Sequence, residues 1–264
     1  RLTSQANSMR GQTAKRARVA KNLDVRAERI AAQRVEAPKV KRRLDVRLPD
    51  PPPAGRTVLE ATGLWKSYGA LDVFEDVTFD VGRGERLLII GRNGAGKTTL
   101  LKIIADRLDA DLGEVRLDDR TRPGYFAQEH EGITAGRNLL DHMRENGGIG
   151  DEQGRAVLGM FGLSGGKAFQ DAASLSGGEK TKLALAQLVA GGHNLLLLDE
   201  PTNNLDPSSR AAIGSALAGW GGTMILVSHD PDFVRALQPD RVLTMPDGTL
   251  DYFSEEMLDL VELA

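Results

Sequence analysis

The sequence predicts an α/β fold built around a mainly parallel sheet, on three observations. Short apolar runs, RLLII (86–90), NLLLLDE (194–200) and TMILVSH (223–229), alternate with stretches of helical pattern, the order that parallel sheets with crossover helices produce. These runs are apolar at successive positions, as in strands covered on both faces. The first opens directly into a glycine-rich loop and then a helical segment. A chain of 264 residues, 41% hydrophobic and 27% charged, is long enough for a sizeable core.

In chain order, residues 1–37 are rich in Ala, Arg and Lys and lack Pro, which predicts one long charged helix or helical segments ended by Pro38. Residues 38–56, with LPDPPPAG at their centre, read as a stiff, extended connector. A compact domain is expected over 57–264. It begins with strands at 58–64 and 76–81, then 86–90, a helix over about 97–107, and strands at 113–117 and 124–128. Residues about 130–190 read as a helical subdomain inserted into the sheet's sequence. The strand at 194–200, a helix near 207–219, the strand at 223–229, a short helix and a strand at 241–245 complete the pattern.

Charge is unevenly spread. Residues 1–50 hold 14 Lys/Arg and 5 Asp/Glu, a charge of +9, while the remainder carries −12. A basic arm on an acidic body points to the arm as the part that meets a polyanion. With no Cys, a disulfide framework and a thiolate metal site are excluded. Four dispersed His give no metal cluster. No apolar run approaches the ~20 residues of a membrane-spanning helix, and the polar, basic start does not resemble a signal peptide. A cytoplasmic protein is expected. The first residue is Arg1 rather than Met, so a fragment or processed product is expected, with chain missing upstream.

Two motifs carry the chemistry. GRNGAGKTT (91–99) fits G-x-x-x-x-G-K-[ST] between a strand and a helix. Gly91, Gly94 and Gly96 let the backbone wrap phosphates, and Asn93 and Thr99 belong to the same cradle. Lys97 neutralises the β/γ-phosphates and Thr98 holds Mg²⁺. Second, four leucines at 195–198 run into Asp199 and Glu200. Asp199, at the carboxyl end of a central strand, is placed to bind the Mg²⁺ shell, and Glu200 to orient or deprotonate an attacking water. Lys97 and Asp199 alone describe a P-loop nucleoside triphosphatase and nothing narrower.

LSGGE (175–179), followed by KTKLALAQLVAG, narrows it. Here the chain resembles the ATP-binding cassette (ABC) family, whose signature is LSGGQ or a close variant. The resemblance implies that Ser176, Gly177 and Gly178 meet a γ-phosphate. A near copy, LSGGK at 163–167, is too far from Asp199 and does not lead directly into a helix, so it reads as a loop of the helical subdomain. The family pattern places Gln128 at the loop that couples that subdomain to Mg²⁺ and water, Asn204-Leu205-Asp206 at the D-loop, and His229 at the switch histidine near the γ-phosphate. Tyr68 is the candidate to stack on adenine, with Trp65 as its competitor.

EPTNNLD (200–206), LSGGEKTKLALA (175–186) and VSHDPDFV (227–234) resemble the ABC-F subfamily, cytosolic ATPases with two cassettes in tandem. The resemblance implies that residues 1–37 are part of a basic linker reaching ribosomal RNA and tRNA, and that the body is the second cassette. Pro231 after VSHD, and DYFS (251–254) in place of a Gly-Asn-Tyr element, depart from the family. Composite ABC sites pair the phosphate loop of one cassette with the signature of another. The chain has one of each, so a second cassette, upstream or in a second copy, is an expected partner, with ATP and Mg²⁺ as cofactors. The expected role is in translation, as a factor or as a ribosome-protecting antibiotic-resistance protein. Three other readings are a membrane transporter's nucleotide-binding subunit, an ABC ATPase of DNA repair or chromosome structure, and a degenerate cassette that binds ATP structurally. A basic helix ahead of the cassette is unexpected in the first. The short interval between Gln128 and Ser176 and the lack of Cys oppose the second. Intact Lys97, Asp199, Glu200 and His229 oppose the third.

Overall fold

The computed structural model describes residue 25, residues 44–127 and residues 133–263. The basic segment 1–37, apart from residue 25, and Gln128 lie outside them. A six-stranded sheet in the order β5-β6-β7-β3-β8-β9 forms the centre. Its strands are β3 (Arg86–Ile90), β5 (Pro123–Phe126), β6 (Leu195–Asp199), β7 (Thr223–Val227), β8 (Arg241–Thr244) and β9 (Thr249–Tyr252). All neighbours are parallel except β8 and β9. A second, antiparallel sheet, β2-β1-β4, comprises β1 (Thr57–Tyr68), β2 (Leu71–Gly82) and β4 (Leu112–Leu117).

Alternation of side chains along the central strands divides the interior in two. Leu88, Ile90, Leu196, Leu198, Met224 and Leu226 face a core shared with the helical region. Leu87, Ile89, Leu195, Leu197, Ile225 and Val227 face a core shared with the antiparallel sheet and helix α1 (Lys97–Ile104). Between Arg86, Asp199 and Thr223 at their ends, β3, β6 and β7 are therefore apolar at successive positions, as their sequence pattern implies.

The helical region contains α2 (Leu139–Gly147), α3 (Asp151–Met160), two short 3₁₀ turns (Gly165–Phe169 and Ala172–Ser174) and α4 (Gly177–Ala190). Asn138 and Asp141 form a capping box on α2, and Ser176 and Glu179 form one on α4. Helices α5 (Pro207–Ala218) and α6 (Pro231–Leu237) each begin with Pro in the first turn after an Asp cap. Helix α7 (Leu258–Leu263) ends the described chain.

Several boundaries differ from expectation. The β1–β2 hairpin extends well beyond 64 and begins before 76, because its tip is largely solvent-facing and lacks apolar alternation. Helix α1 stops at Ile104; Asp106 adopts a left-handed φ of 55°. Strand β9 was not expected, although Asp247-Gly248 between β8 and the alternating Thr249–Tyr252 is a hairpin signal. The last three residues of the copy LSGGK open the first 3₁₀ turn, Gly165–Phe169, within the helical region.

The part of the Pro-rich segment that is described is not free. Trp220 Nε1 donates to the Pro49 carbonyl (3.0 Å), Asn194 Nδ2 stands 3.4 Å from the carbonyls of Pro52 and Pro53, and Gly55 N donates to Asp118 Oδ1 (3.0 Å). Proline lacks an N–H but keeps an acceptor, so the prolines of this segment are held through their carbonyls.

Arg86 ties the ends of two helices to the sheet. Its guanidinium donates to Leu237 O and Ala218 O, both at 2.6 Å, and to Trp220 O at 3.3 Å. Leu237 and Ala218 are the last residues of α6 and α5, whose carbonyls need donors. Arg86→Met is expected to cost about 3 kcal/mol, since charged hydrogen bonds are worth ~1.5–3 kcal/mol each and orphaned carbonyls add to the loss. Urea denaturation measures it; a loss below about 1 kcal/mol would show that water replaces the guanidinium.

Candidate functional site

The site forms where β3 turns into α1. Gly91 and Gly96 adopt φ of 148° and 90°, and both are crowded. A Cβ on Gly91 would lie 2.5 Å from Met245 O, and one on Gly96 would lie 2.6 Å from Val73. Glycine is thus required on steric and conformational grounds. Helix α1 starts after Gly96, which offers no side-chain cap, so its first N–H groups and positive dipole end face the loop. Buried Lys97 folds back, its Nζ donating to Gly91 O and, at 3.3 Å, to Arg92 O. Burial lowers its pKa, against the pull of Glu200 and Asp199.

A cavity of about 380 Å³ gathers this loop with distant parts of the chain. Of the residues singled out in the sequence, Tyr68, Asn93, Gly94, Gly96, Lys97, Thr98, Thr99, Asp199, Glu200 and His229 line it; Gly91 lies behind, beneath Lys97. Leu71, Val73 and Arg92 also line it and were not anticipated. Leu71 pairs with Tyr68 across the hairpin tip, a placement that only the longer hairpin reveals. Tyr68 is 54% exposed, with Lys66 Nζ 5.7 Å from its ring centre. Trp65 is not a lining residue; its Nε1 donates to Asp72 Oδ1 at 3.2 Å.

At the end of β6, two carboxylates are held dry. Asp199 is 1% and Glu200 4% exposed. Neither Asp199 oxygen makes a well-formed hydrogen bond among the described residues. Burial pushes the Asp199 pKa up, and the Thr98 hydroxyl, Lys102 and Lys97 pull it part of the way back. Glu200 has a left-handed φ of 52°, an uncommon conformation that aims its side chain into the cavity. Burial, aided by the charge of Asp199, raises its pKa to about 7, despite the opposing His229 N–H. That N–H lies 3.2 Å from Glu200 Oε2, and His229 Nε2 lies 3.1 Å from Oε1. Burial and then the charge of Lys97 lower the His229 pKa.

Buried carboxylate oxygens lacking donors, beside a hydroxyl, suit a hard divalent cation such as Mg²⁺. Among the described residues no group of three or more His, Cys, Asp or Glu could hold a metal, so nucleotide phosphates would have to complete the coordination.

Ser176, Gly177 and Gly178 do not line the cavity. They form the N-terminus of α4, which lies against the turn after Glu200. A Cβ on Gly178 would sit 2.5 Å from Asn204 O, and Asn204 itself has φ 64°. The Thr181 hydroxyl stands 3.1 Å from Asn203 O. Asp206 caps α5; the Ser208 and Ser209 hydroxyls hold its pKa well below the usual range.

Residues 74–203 match the family model described as ABC transporter. The chain is 36% identical over 219 residues to the putative ATP-binding protein YdiF of Bacillus subtilis, covering 80% of this chain and 34% of that protein. It is 35% identical to the probable ATP-binding protein YheS of Escherichia coli K12, covering 89% and 37%. It is 34% identical to a probable ATP-binding cassette sub-family F member 3 homolog of Encephalitozoon cuniculi, covering 78% and 37%. The chain thus spans about a third of the length of these relatives. In fold it is similar to the ATP-binding cassette MJ0796, solved as a dimer in a post-hydrolysis state bound to ADP and Pi. The TM-score is 0.65 at 23% identity, covering 74% of this chain and 99% of that one. By the match over residues 74–203 and by these relatives, the chain carries an ATP-binding domain of the ABC family.

Proposed function

We propose that this chain is the ATP-hydrolysing cassette of a cytoplasmic ABC-F protein that binds the ribosome and acts on translation. One observation carries the enzymatic part. Lys97, Thr98, Asp199, Glu200 and His229 share one cavity, whereas Ser176 to Gly178 lie outside it. On this reading ATP occupies the cavity, with Tyr68 and Leu71 against the base and the loop amides on the phosphates. The signature turn of a second cassette then closes over the γ-phosphate. Thr98, Asp199 and Gln128 would hold Mg²⁺, which would supply neutralisation of phosphate charge. Glu200 accepts the proton of the attacking water as its oxygen bonds to the γ-phosphorus, and the bridging bond breaks to release ADP. His229, whose backbone N–H donates to Glu200 Oε2 at 3.2 Å, orients that carboxylate.

The relatives, one of them named sub-family F, and the +9 charge of residues 1–50 support the ribosomal part. Residues 1–37 serve as the basic linker, contacting RNA phosphates without base readout. The test is co-sedimentation with ribosomes of the chain carrying Glu200→Gln. Pelleting is expected with ATP but not ADP, and is expected to weaken steeply between 50 and 200 mM salt, as ~6–10 phosphate contacts require. Full ATP binding without pelleting would overturn the ribosomal role and redirect attention to a membrane partner. Among the described residues no helix is long and apolar enough to cross a membrane.

A further inference from the structure

The LSGGK copy has no part in the reading above, yet its lysine reaches the signature. Lys167 Nζ donates to Glu179 Oε1. Glu179 Oε2 in turn accepts from Ser176 N (3.0 Å) and from the Ser176 hydroxyl (2.9 Å). Lys167 is held in place. Leu163 and Ala168 on either side are buried, Gly165 turns the chain with φ 68°, and Gln170 N closes the 3₁₀ turn on Lys167 O at 2.9 Å.

The hydroxyl of Ser176 has a single proton, and it is donated to Glu179. To donate to a phosphate it must turn away, leaving an acidic side chain in the first turn of α4, where the anion has to approach. A neighbouring cation resolves both difficulties: it replaces the lost donor and cancels the charge that would repel the phosphate. Consistent with a well-compensated carboxylate, the Lys167 hydrogen bond, followed by that from Ser176 N, lowers the Glu179 pKa to about 2.

We propose that Lys167 is a positioning residue of the signature turn, holding Glu179 as its counter-ion so that Ser176 is free to receive the phosphate carried by a second cassette. This rests on the cassette pairing proposed above. The near repeat of the signature is then not a second nucleotide site: Ser164 makes no side-chain cap and the turn behind it is only five residues long.

The test uses the full chain and four variants: Lys167→Met, Lys167→Arg, Glu179→Gln, and Lys167→Met with Glu179→Gln. A fluorescent ATP analogue, titrated into dilute chain, reads binding to the unpaired cavity. ATP turnover against chain concentration reads pairing. Lys167→Met is expected to leave analogue affinity and melting temperature nearly unchanged and to raise the chain concentration for half-maximal turnover about fivefold, the scale of a partly exposed charge. The defect shrinks at high salt. Lys167→Arg preserves pairing, and Glu179→Gln in the Lys167→Met background restores it, because the uncompensated charge is gone. Unchanged pairing in Lys167→Met, or no rescue in the double variant, would overturn the role of Lys167 alone. Absence of concentration-dependent turnover in the unaltered chain would instead remove the pairing reading, and this inference with it.

Discussion

Glu200→Gln is expected to slow ATP turnover by ~10²–10⁴-fold, the usual contribution of a general base, and at the same time to make the protein more stable above neutral pH. Both effects have one cause. The carboxylate is buried, with Asp199 beside it, and its pKa stands at about 7 rather than 4.5. The unfolded chain loses the Glu200 proton near pH 4.5, whereas the folded chain keeps it until about pH 7. Between those values each rise in pH favours the unfolded state, and above pH 7 the penalty is constant. At ~1.4 kcal/mol per pH unit, the burial of this group costs about 3 kcal/mol there. Glutamine keeps the shape and removes the charge. Calorimetry without nucleotide should therefore show similar melting temperatures for the two proteins at pH 4.5. The variant should gain an advantage that grows to pH 7 and then levels off, reaching roughly 5–10 °C for a body of this size. The same titration predicts that kcat/KM of the unaltered chain, which reports groups of the free protein, rises with pH through about 7, as Glu200 becomes able to take a proton. A melting difference that does not vary with pH would mean an ordinary carboxylate, and Glu200 would lose its claim to the proton-transfer step.

How far this site is legible in the sequence depends on whether the physics is local. RLLII, LLLLD and TMILV announce β3, β6 and β7 because strands buried on both faces are apolar at successive positions, with polar residues only at their ends. The phosphate loop is readable because its glycines are demanded by neighbours it always has, the strand before and the helix after. The tip of the β1–β2 hairpin, which brings Tyr68 and Leu71 to the cavity, leaves no such trace, since its exposed residues are free to be polar. Equally silent are the pairings of Trp220 with Pro49 and of Asn194 with Pro52 and Pro53. They join residues more than 140 apart, and nothing in a proline-rich stretch says which donor will find its carbonyls. Lys167 is an intermediate case. Its motif was conspicuous, but its partner Glu179 follows from the path of two 3₁₀ turns, which a periodic pattern cannot encode.

Gly178→Ala is expected to reduce turnover more than tenfold while leaving ATP affinity at the chain's own cavity within about twofold. The added methyl group would lie 2.5 Å from the Asn204 carbonyl oxygen, a distance that forces movement because the neighbour is backbone. The turn has little freedom to yield. Asn203 N is bonded to Glu200 O and Leu205 N to Thr202 O, both at 3.2 Å, Leu205 is buried, and Asp206 is fixed as the cap of α5. Displacement must pass either to Glu200, four residues upstream of Asn204, or to Ser176 at the head of α4. The first disturbs the proposed base of this cassette, and the second disturbs the surface offered to the other. Both lower turnover, and neither touches Lys97 or the loop amides that hold the phosphates. Overpacking of this kind typically costs ~1–3 kcal/mol, so a modest fall in melting temperature should accompany the loss. Gly177 supplies the control for stability: a Cβ there would stand 3.4 Å or more from Asn204, an ordinary contact, so Gly177→Ala should melt close to the unaltered chain. Steady-state turnover, analogue titration and melting of the two variants separate the possibilities. If Gly178→Ala turned over normally, the contact between α4 and the turn after Glu200 would be mere packing. If it lost nucleotide affinity as well, the strain would have to travel along β6 to Asp199, making the signature turn and the phosphate cavity one mechanical unit.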